Sequence, residues 1–217
     1  MDERERTYLS RDERHAQLVA VGLQLFSTRS YDEVAIEEIA AAAGVSKGLL
    51  YHYFTSKRGL YAAVVEYASG ELLSALLPSP DVEGVDNARR GIRAYLLFVS
   101  ERADAFLALM SGSLGTDPQV QAVLERTREA IVAQILYSAG LDATVPTARI
   151  CARAWLGSVE SASLDWLRHR DADIETLVDI FGATLYIHLL AAARFGGAPT
   201  SPLTEGLPLL MGLVRGR

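Results

Sequence analysis

Apolar residues recur every three or four positions along almost the whole of this chain, and strict alternation is nearly missing. That period belongs to the α-helix and not to the strand, so the sequence predicts an all-α protein. The spacing predicts helices over about 11–28, 33–42, 46–53, from Lys57 onward, then roughly 86–101, 103–112, 118–139, 146–170 and 174–195. The inner faces are expected to carry Leu18, Val21, Gly22, Leu25 and Phe26 in the first helix, Ile36, Ile39, Ala40 and Ala43 around the second, and Leu60, Val64 and Tyr67 in the fourth. PSPDVEG at 78–84 reads as a linker, and GGAPTSP at 196–202 as a break before a short apolar helix reaching Leu213. With 217 residues, half of them apolar, the chain suits one or two domains with a substantial core.

One segment departs from ordinary core patterning. In GVSKGLLYHYFTSK, residues 44–57, Leu49, Leu50, Tyr51, Tyr53 and Phe54 crowd together between Lys47 and Lys57. Gly44 breaks the second helix and Ser46 is placed to cap a short third one, which makes a helix-turn-helix pattern. Val45, Leu50 and Phe54 fall on the inward side, toward Leu25, Phe26 and Ile39. Ser46, Lys47, Gly48, Leu49, Tyr51 and His52 are left facing out. Lys47, Tyr51 and His52 suit phosphates or base edges, and Leu49 suits a thymine methyl. Gly48 weakens the helix by about 1 kcal/mol relative to alanine, which is tolerable where a second backbone must come close. Lys57 adds charge to the start of the fourth helix, where free amides already favour a phosphate.

The net charge of −6 argues against bulk-charge coating of nucleic acid. Between Glu38 and Glu66, however, the chain has no acidic residue, so the outward face lies in a local island free of negative charge. The charged N-terminus has no apolar stretch behind it, and the run Ala183–Ala193 is too short to span a bilayer, so a cytoplasmic protein without a membrane partner is expected. The lone cysteine, Cys151, excludes an intramolecular disulfide and reads as a small core side chain.

The segment YDEVAIEEIAAAAGVSKGLLYHYFTSKRGLYAAVVE, residues 31–66, resembles the DNA-binding module of TetR/AcrR-type bacterial transcriptional regulators. The shared pattern is met by Ile39-Ala40, Ala43 to Tyr51, Tyr53-Phe54, Ser56-Lys57 and Leu60. The resemblance implies DNA-facing roles for Ser46, Lys47, Gly48, Leu49, Tyr51, His52 and Lys57. It further implies a DNA-binding domain at 1–56 and a larger helical effector-binding and dimerisation domain at 57–217. Two departures stand out: the hydroxyl residue that often begins the second helix is replaced around Val34 and Ala35, and position 49 carries leucine.

A single helix-turn-helix reads only a few base pairs, so a homodimer on double-stranded operator DNA is expected. The small residues Ala154, Gly157, Ser158, Ser161 and Ala162, with Gly182, Ala183 and Ala191, would let helices of two copies approach closely. Tyr95, Phe98, Phe106, Met110, Tyr137, Trp155 and Glu160 suit a largely apolar pocket with few polar groups. The resemblance implies a small-molecule effector there, and repression as the usual sign. No cofactor or metal is expected.

Two other classes remain. Ser113, His188 and Asp165 could be arranged as a nucleophilic triad, but GSLG at 112–115 is not a nucleophile elbow, and neither a P-loop nor a dinucleotide fingerprint is present. Asp165 and His169 could form half a metal site or, more simply, an ion pair at a helix end. A dimerising bundle that has lost DNA binding is the third reading, favoured by Val34 and a weakly basic first helix.

Overall fold

The computed structural model describes residues 10–82, 84–111 and 117–196. Among them lie nine helices and no strand: α1 (Arg11–Thr28), α2 (Ile36–Ala42), α3 (Lys47–Tyr53), α4 (Lys57–Leu76), α5 (Gly84–Glu101), α6 (Ala103–Ser111), α7 (Pro118–Ser138), α8 (Pro146–His169) and α9 (Ile174–Gly196). The helix expected to end at Leu213 lies outside the described residues, as do Ser113 and most of the 196–202 break.

Local chemistry sets these boundaries. Ser10 and Glu13 form a reciprocal capping box at α1, with the Ser10 amide donating to Glu13 Oε2 at 2.8 Å and the Glu13 amide to Ser10 Oγ at 3.2 Å. The second helix starts at Ile36, three residues later than the spacing predicts, because Ser30 and Glu33 close a turn: the Ser30 amide and hydroxyl donate to Glu33 Oε2 at 2.9 and 2.8 Å. The C-terminus of α2 is closed by Gly44 at φ +66°, with the Val45 amide bonded to Ala40 O at 2.9 Å and the Gly44 amide to Ala41 O at 3.0 Å. This double closure needs a left-handed residue, which glycine adopts without strain.

The chain divides into two compact units, one holding the chain up to Ala68 with Asp104–Val123, the other Ser69–Ala103 with the chain from Leu124. Packing thus places the first turns of α4 with α1–α3, beyond the expected boundary at 56/57. In the first unit Leu18, Ile39, Leu50 and Leu60 are fully buried, with Val19, Phe26, Val34, Phe54 and Tyr61 around them. Val21 and Leu25 are only half-buried. The α4 stripe is Leu60, Tyr61, Val64 and Val65, whereas Tyr67, expected inside, is exposed. Phe26, Tyr31 and Tyr61 form an aromatic cluster with centroids 5.0–6.1 Å apart, and burial pushes the Tyr61 phenol up to about 12. At Gly22 a Cβ would come within 2.8 Å of Val64 Cγ2, so this glycine is where α1 and α4 meet most closely.

In the second unit α8 packs along α9, and α5 packs against both. The Trp155 indole donates to Phe181 O at 3.0 Å, and Trp166 donates to Ala172 O at 2.8 Å. Arg93 holds Glu175 with two bonds of 2.5 and 2.6 Å, and Arg89 pairs with Asp179. Within the expected linker, Ser79 and Val82 are tied down: Asn87 accepts from the Ser79 amide at 3.1 Å and donates to Val82 O at 2.9 Å. By length and composition alone α9, at 23 residues, could cross a bilayer. It instead buries Leu177, Val178, Phe181 and Leu185 in this unit and carries the ion-paired Glu175 and Asp179.

Candidate nucleic-acid interface

The third helix is only seven residues long, too short to be stable alone, so its neighbours must hold it. Leu50 at its centre is fully buried and Phe54 at its end nearly so, while His15 of α1 lies 4.8 Å from the Phe54 ring. Ser46 caps the helix by accepting the Leu49 amide at 3.1 Å. That bond uses one lone pair and leaves the hydroxyl proton to donate.

With Leu50 and Phe54 inward, Ser46, Lys47, Gly48, Leu49, Tyr51 and His52 all lie exposed along the other side. Leucine and tyrosine in such a row cost free energy in water unless something covers them. Lys57 stands apart from this set. It is half-buried, its ammonium donates to Tyr31 O and lies 4.0 Å from the Tyr31 ring centroid, and burial holds its pKa below the usual value. Ser56 beside it accepts the Gly59 amide at 3.0 Å and so caps α4.

The missing hydroxyl resolves to one position. Val34 is fully buried and belongs to the core, whereas Ala35 is exposed and occupies the N-cap of α2 with no side-chain bond to the helix. A hydroxyl at 35 would both cap α2 and face outward.

One residue that sequence spacing did not single out also belongs to this face. Glu37, on the first turn of α2, accepts from Lys47 Nζ at 2.5 Å, and that bond holds its carboxyl below the usual carboxylate range. Both side chains are well exposed, so the pair adds little to stability. It does neutralise the one lysine of α3. Glu37→Gln is expected to tighten binding to duplex DNA about fivefold and to steepen its salt dependence by about one counterion. Anisotropy titrations over a potassium chloride series would measure both.

The residues expected to line a pocket are divided between the two units. Phe106 and Met110 lie in the first unit; Tyr95, Phe98, Trp155 and Glu160 lie in the second. Tyr137 is 82% exposed and lines no interior. Trp155 is buried with its indole N–H committed to Phe181, so it serves the α8–α9 core, and the Phe98 ring carries Arg102 at 4.2 Å. Glu160 is bound by Arg128 Nε at 2.9 Å.

The small residues of α8 do share a surface. Ala154, Gly157, Ser158 and Ser161 are exposed, Ala162 is half-buried, and Ile150 continues the row at 56% exposure. On α9, Gly182, Ala183 and Ala191 are half-buried, and Ile180 and Ile187 stand out beside them, Ile187 at 62% exposure. The isoleucines escape a search for small residues, though their helical spacing from Ala154, Ala183 and Ala191 marks them.

His169 Nδ1 lies 3.4 Å from Asp165 Oδ1 with both side chains exposed, and His188 Nδ1 lies 2.8 Å from Thr184 O. No metal-binding group of three or more occurs among the described residues.

A helix-turn-helix unit with an exposed, acid-poor recognition helix, followed by a helical bundle, defines a DNA-binding regulator. The family model described as bacterial regulatory proteins, tetR family, matches residues 18–64, and one described as tetracyclin repressor-like, C-terminal domain, matches 86–186. The HTH-type transcriptional activator FasR of Mycolicibacterium smegmatis is 31% identical over 79% of this chain and 80% of its own. The crystal structure of a tetR-family transcriptional regulator from Streptomyces coelicolor superposes with a TM-score of 0.77 at 29% identity, covering 94% of this chain and all of the other. The chain belongs to the TetR family of transcriptional regulators. The fold alone is shared with FadR of Bacillus subtilis, solved in complex with stearoyl-CoA, at 12% identity, a TM-score of 0.60 and coverage of 81% of this chain and 97% of that one.

Proposed function

We propose that this chain binds a palindromic operator as a homodimer, with α3 of each copy in the major groove, and that a largely apolar small molecule taken up by the C-terminal bundle switches it. The carrying observation is the exposed row Ser46, Lys47, Gly48, Leu49, Tyr51 and His52 on a helix anchored by Leu50 and Phe54. Dimerisation is supported by the α8–α9 face, where exposed isoleucines flank small residues that a second copy can approach. Within the operator contact, Lys57 steadies the turn through Tyr31 and stands ready at the start of α4 for a phosphate. Catalysis has no part in this reading.

Switching requires the effector to prefer the non-binding state by about 5.5 kcal/mol for a full reversal of populations. Repression is the sign the family resemblance implies. The M. smegmatis relative FasR is a transcriptional activator, which favours activation as a second reading. Selection of random duplexes by the purified protein should enrich a palindrome bound by two copies. A promoter reporter carrying that site then gives the sign. Absence of any enriched sequence from a folded dimer would overturn the operator reading.

A further inference from the structure

The C-terminal unit holds two buried hydroxyls that its own chain satisfies poorly. Tyr95 of α5 and Ser163 of α8 are both buried, Ser163 completely, and neither Tyr95 Oη nor Ser163 Oγ has a hydrogen-bond partner of ordinary geometry. The two lie side by side, the Ser163 hydroxyl offering the phenol a poorly aligned contact, with Glu160 and Arg128 close to the phenol. A buried hydroxyl without a partner is destabilising, and replacing it with an apolar group of the same shape removes the cost. A contact between the two uses at most one of their two protons, so at least one donor stays without an acceptor in the free protein.

Their surroundings are apolar along each helix. Ile92 and Val99 flank Tyr95 on α5, and Leu156, Val159 and Leu167 flank Ser163 on α8, all of them buried. Nearby charge is balanced. Arg128 holds Glu160 through Nε at 2.9 and 3.2 Å and sits 3.7 Å from Glu125, which also accepts from Arg153 at 2.5 Å. Two guanidinium groups thus face two carboxylates, leaving no free positive charge for an anionic head. Burial holds the Tyr95 phenol far above its ordinary value, so it is a donor at any working pH.

We infer that Tyr95 and Ser163 together donate to the neutral carbonyl oxygen of the effector, a molecule with an apolar body and an ester-, thioester-, amide- or ketone-type head. A carbonyl offers two lone pairs to two donors. A carboxylate would meet the charge of Glu160, whose arginine is already engaged. This inference rests on the reading of the C-terminal bundle as the effector domain.

The test compares saturated fatty-acid methyl esters, from hexanoate to palmitate, with the matching carboxylates. Each is titrated into full-length wild type, Tyr95→Phe and Ser163→Ala by calorimetry, and the operator complex is followed by anisotropy. At least one ester should bind the wild type, about tenfold more weakly to each variant, and better than its carboxylate. Glu160→Gln should narrow the gap between ester and carboxylate. Without ligand, Tyr95→Phe should melt no lower than the wild type. Equal ester binding by wild type and both variants overturns the anchor while leaving the effector domain in place, as does a lower melting temperature for unliganded Tyr95→Phe. Preference for carboxylates overturns the neutral head. No ester binding, with release of the operator by another class of compound, overturns the head alone; an operator complex that responds to no compound overturns the effector reading with it.

Discussion

Gly157→Leu and Ile187→Glu should each yield a folded monomer that binds a two-half-site duplex about 10²–10⁴-fold more weakly than the wild type, the factor that linking two half-site contacts supplies. The protomer itself tolerates both changes. A Cβ at Gly157 would meet nothing within 4 Å, and Ile187 is 62% exposed, so the charge enters water. Surface substitutions of this kind stay within about 0.5 kcal/mol of neutral for the isolated fold. The second copy is another matter. A glycine in mid-helix weakens that helix by about 1 kcal/mol relative to alanine, and the protomer gains no packing from the small side chain in return. Close approach by another helix would recover that cost, and leucine at 157 would hold the two surfaces apart. Glutamate at 187 would place a charge in an apolar contact with no partner. Sedimentation velocity reads the oligomeric state and anisotropy the operator affinity. A dimer that persists in both variants would place the interface elsewhere on the chain.

What could be read from the sequence depended on how local the information was. The third helix was legible because its anchor, cap and outward row lie within nine residues, Ser46 to Phe54, and helical geometry alone sorts them into two sides. Helix boundaries were legible to within a residue or two wherever a breaker or cap marked them, as at Gly44 and Pro146. The start of α2 was less so, since Ser30 and Glu33 resemble helix-entry residues until their mutual bonds turn them into a closed turn. Contacts between helices were barely legible. Spacing alone does not tell that Glu37 meets Lys47 or that Ser163 lies beside Tyr95, because those meetings depend on how α2 packs on α3 and α5 on α8. The aromatic set expected to line a pocket was chosen by residue type, and three-dimensional placement scattered it between surface, core and both units.

Gly48→Leu should separate folding from recognition more sharply than any other single change. Three glycines of the helix-turn-helix unit occupy three different situations. Gly44 is required by its own backbone at φ +66°, and Gly22 by Val64 at 2.8 Å from the position of a Cβ. Gly48 is required by neither: its nearest neighbour would be Ser46 Oγ at 3.9 Å, it lies exposed on α3, and its backbone is helical. Leucine there should therefore stabilise the free protein by up to about 1 kcal/mol through helix propensity. On the operator the same side chain would project from the first turn of the recognition helix, between Lys47 and Leu49, into the space through which the backbone approaches the duplex. The clash and the lost contacts beside it should weaken binding about 100-fold, or about 3 kcal/mol, with the melting temperature unchanged or raised. Gly48→Ala should show the same gain in stability with a smaller loss of affinity. Denaturation and anisotropy on the same preparations measure the two effects. If Gly48→Leu kept full operator affinity, the first turn of α3 would not lie against the duplex, and recognition would have to come from the Tyr51–His52 end of the helix.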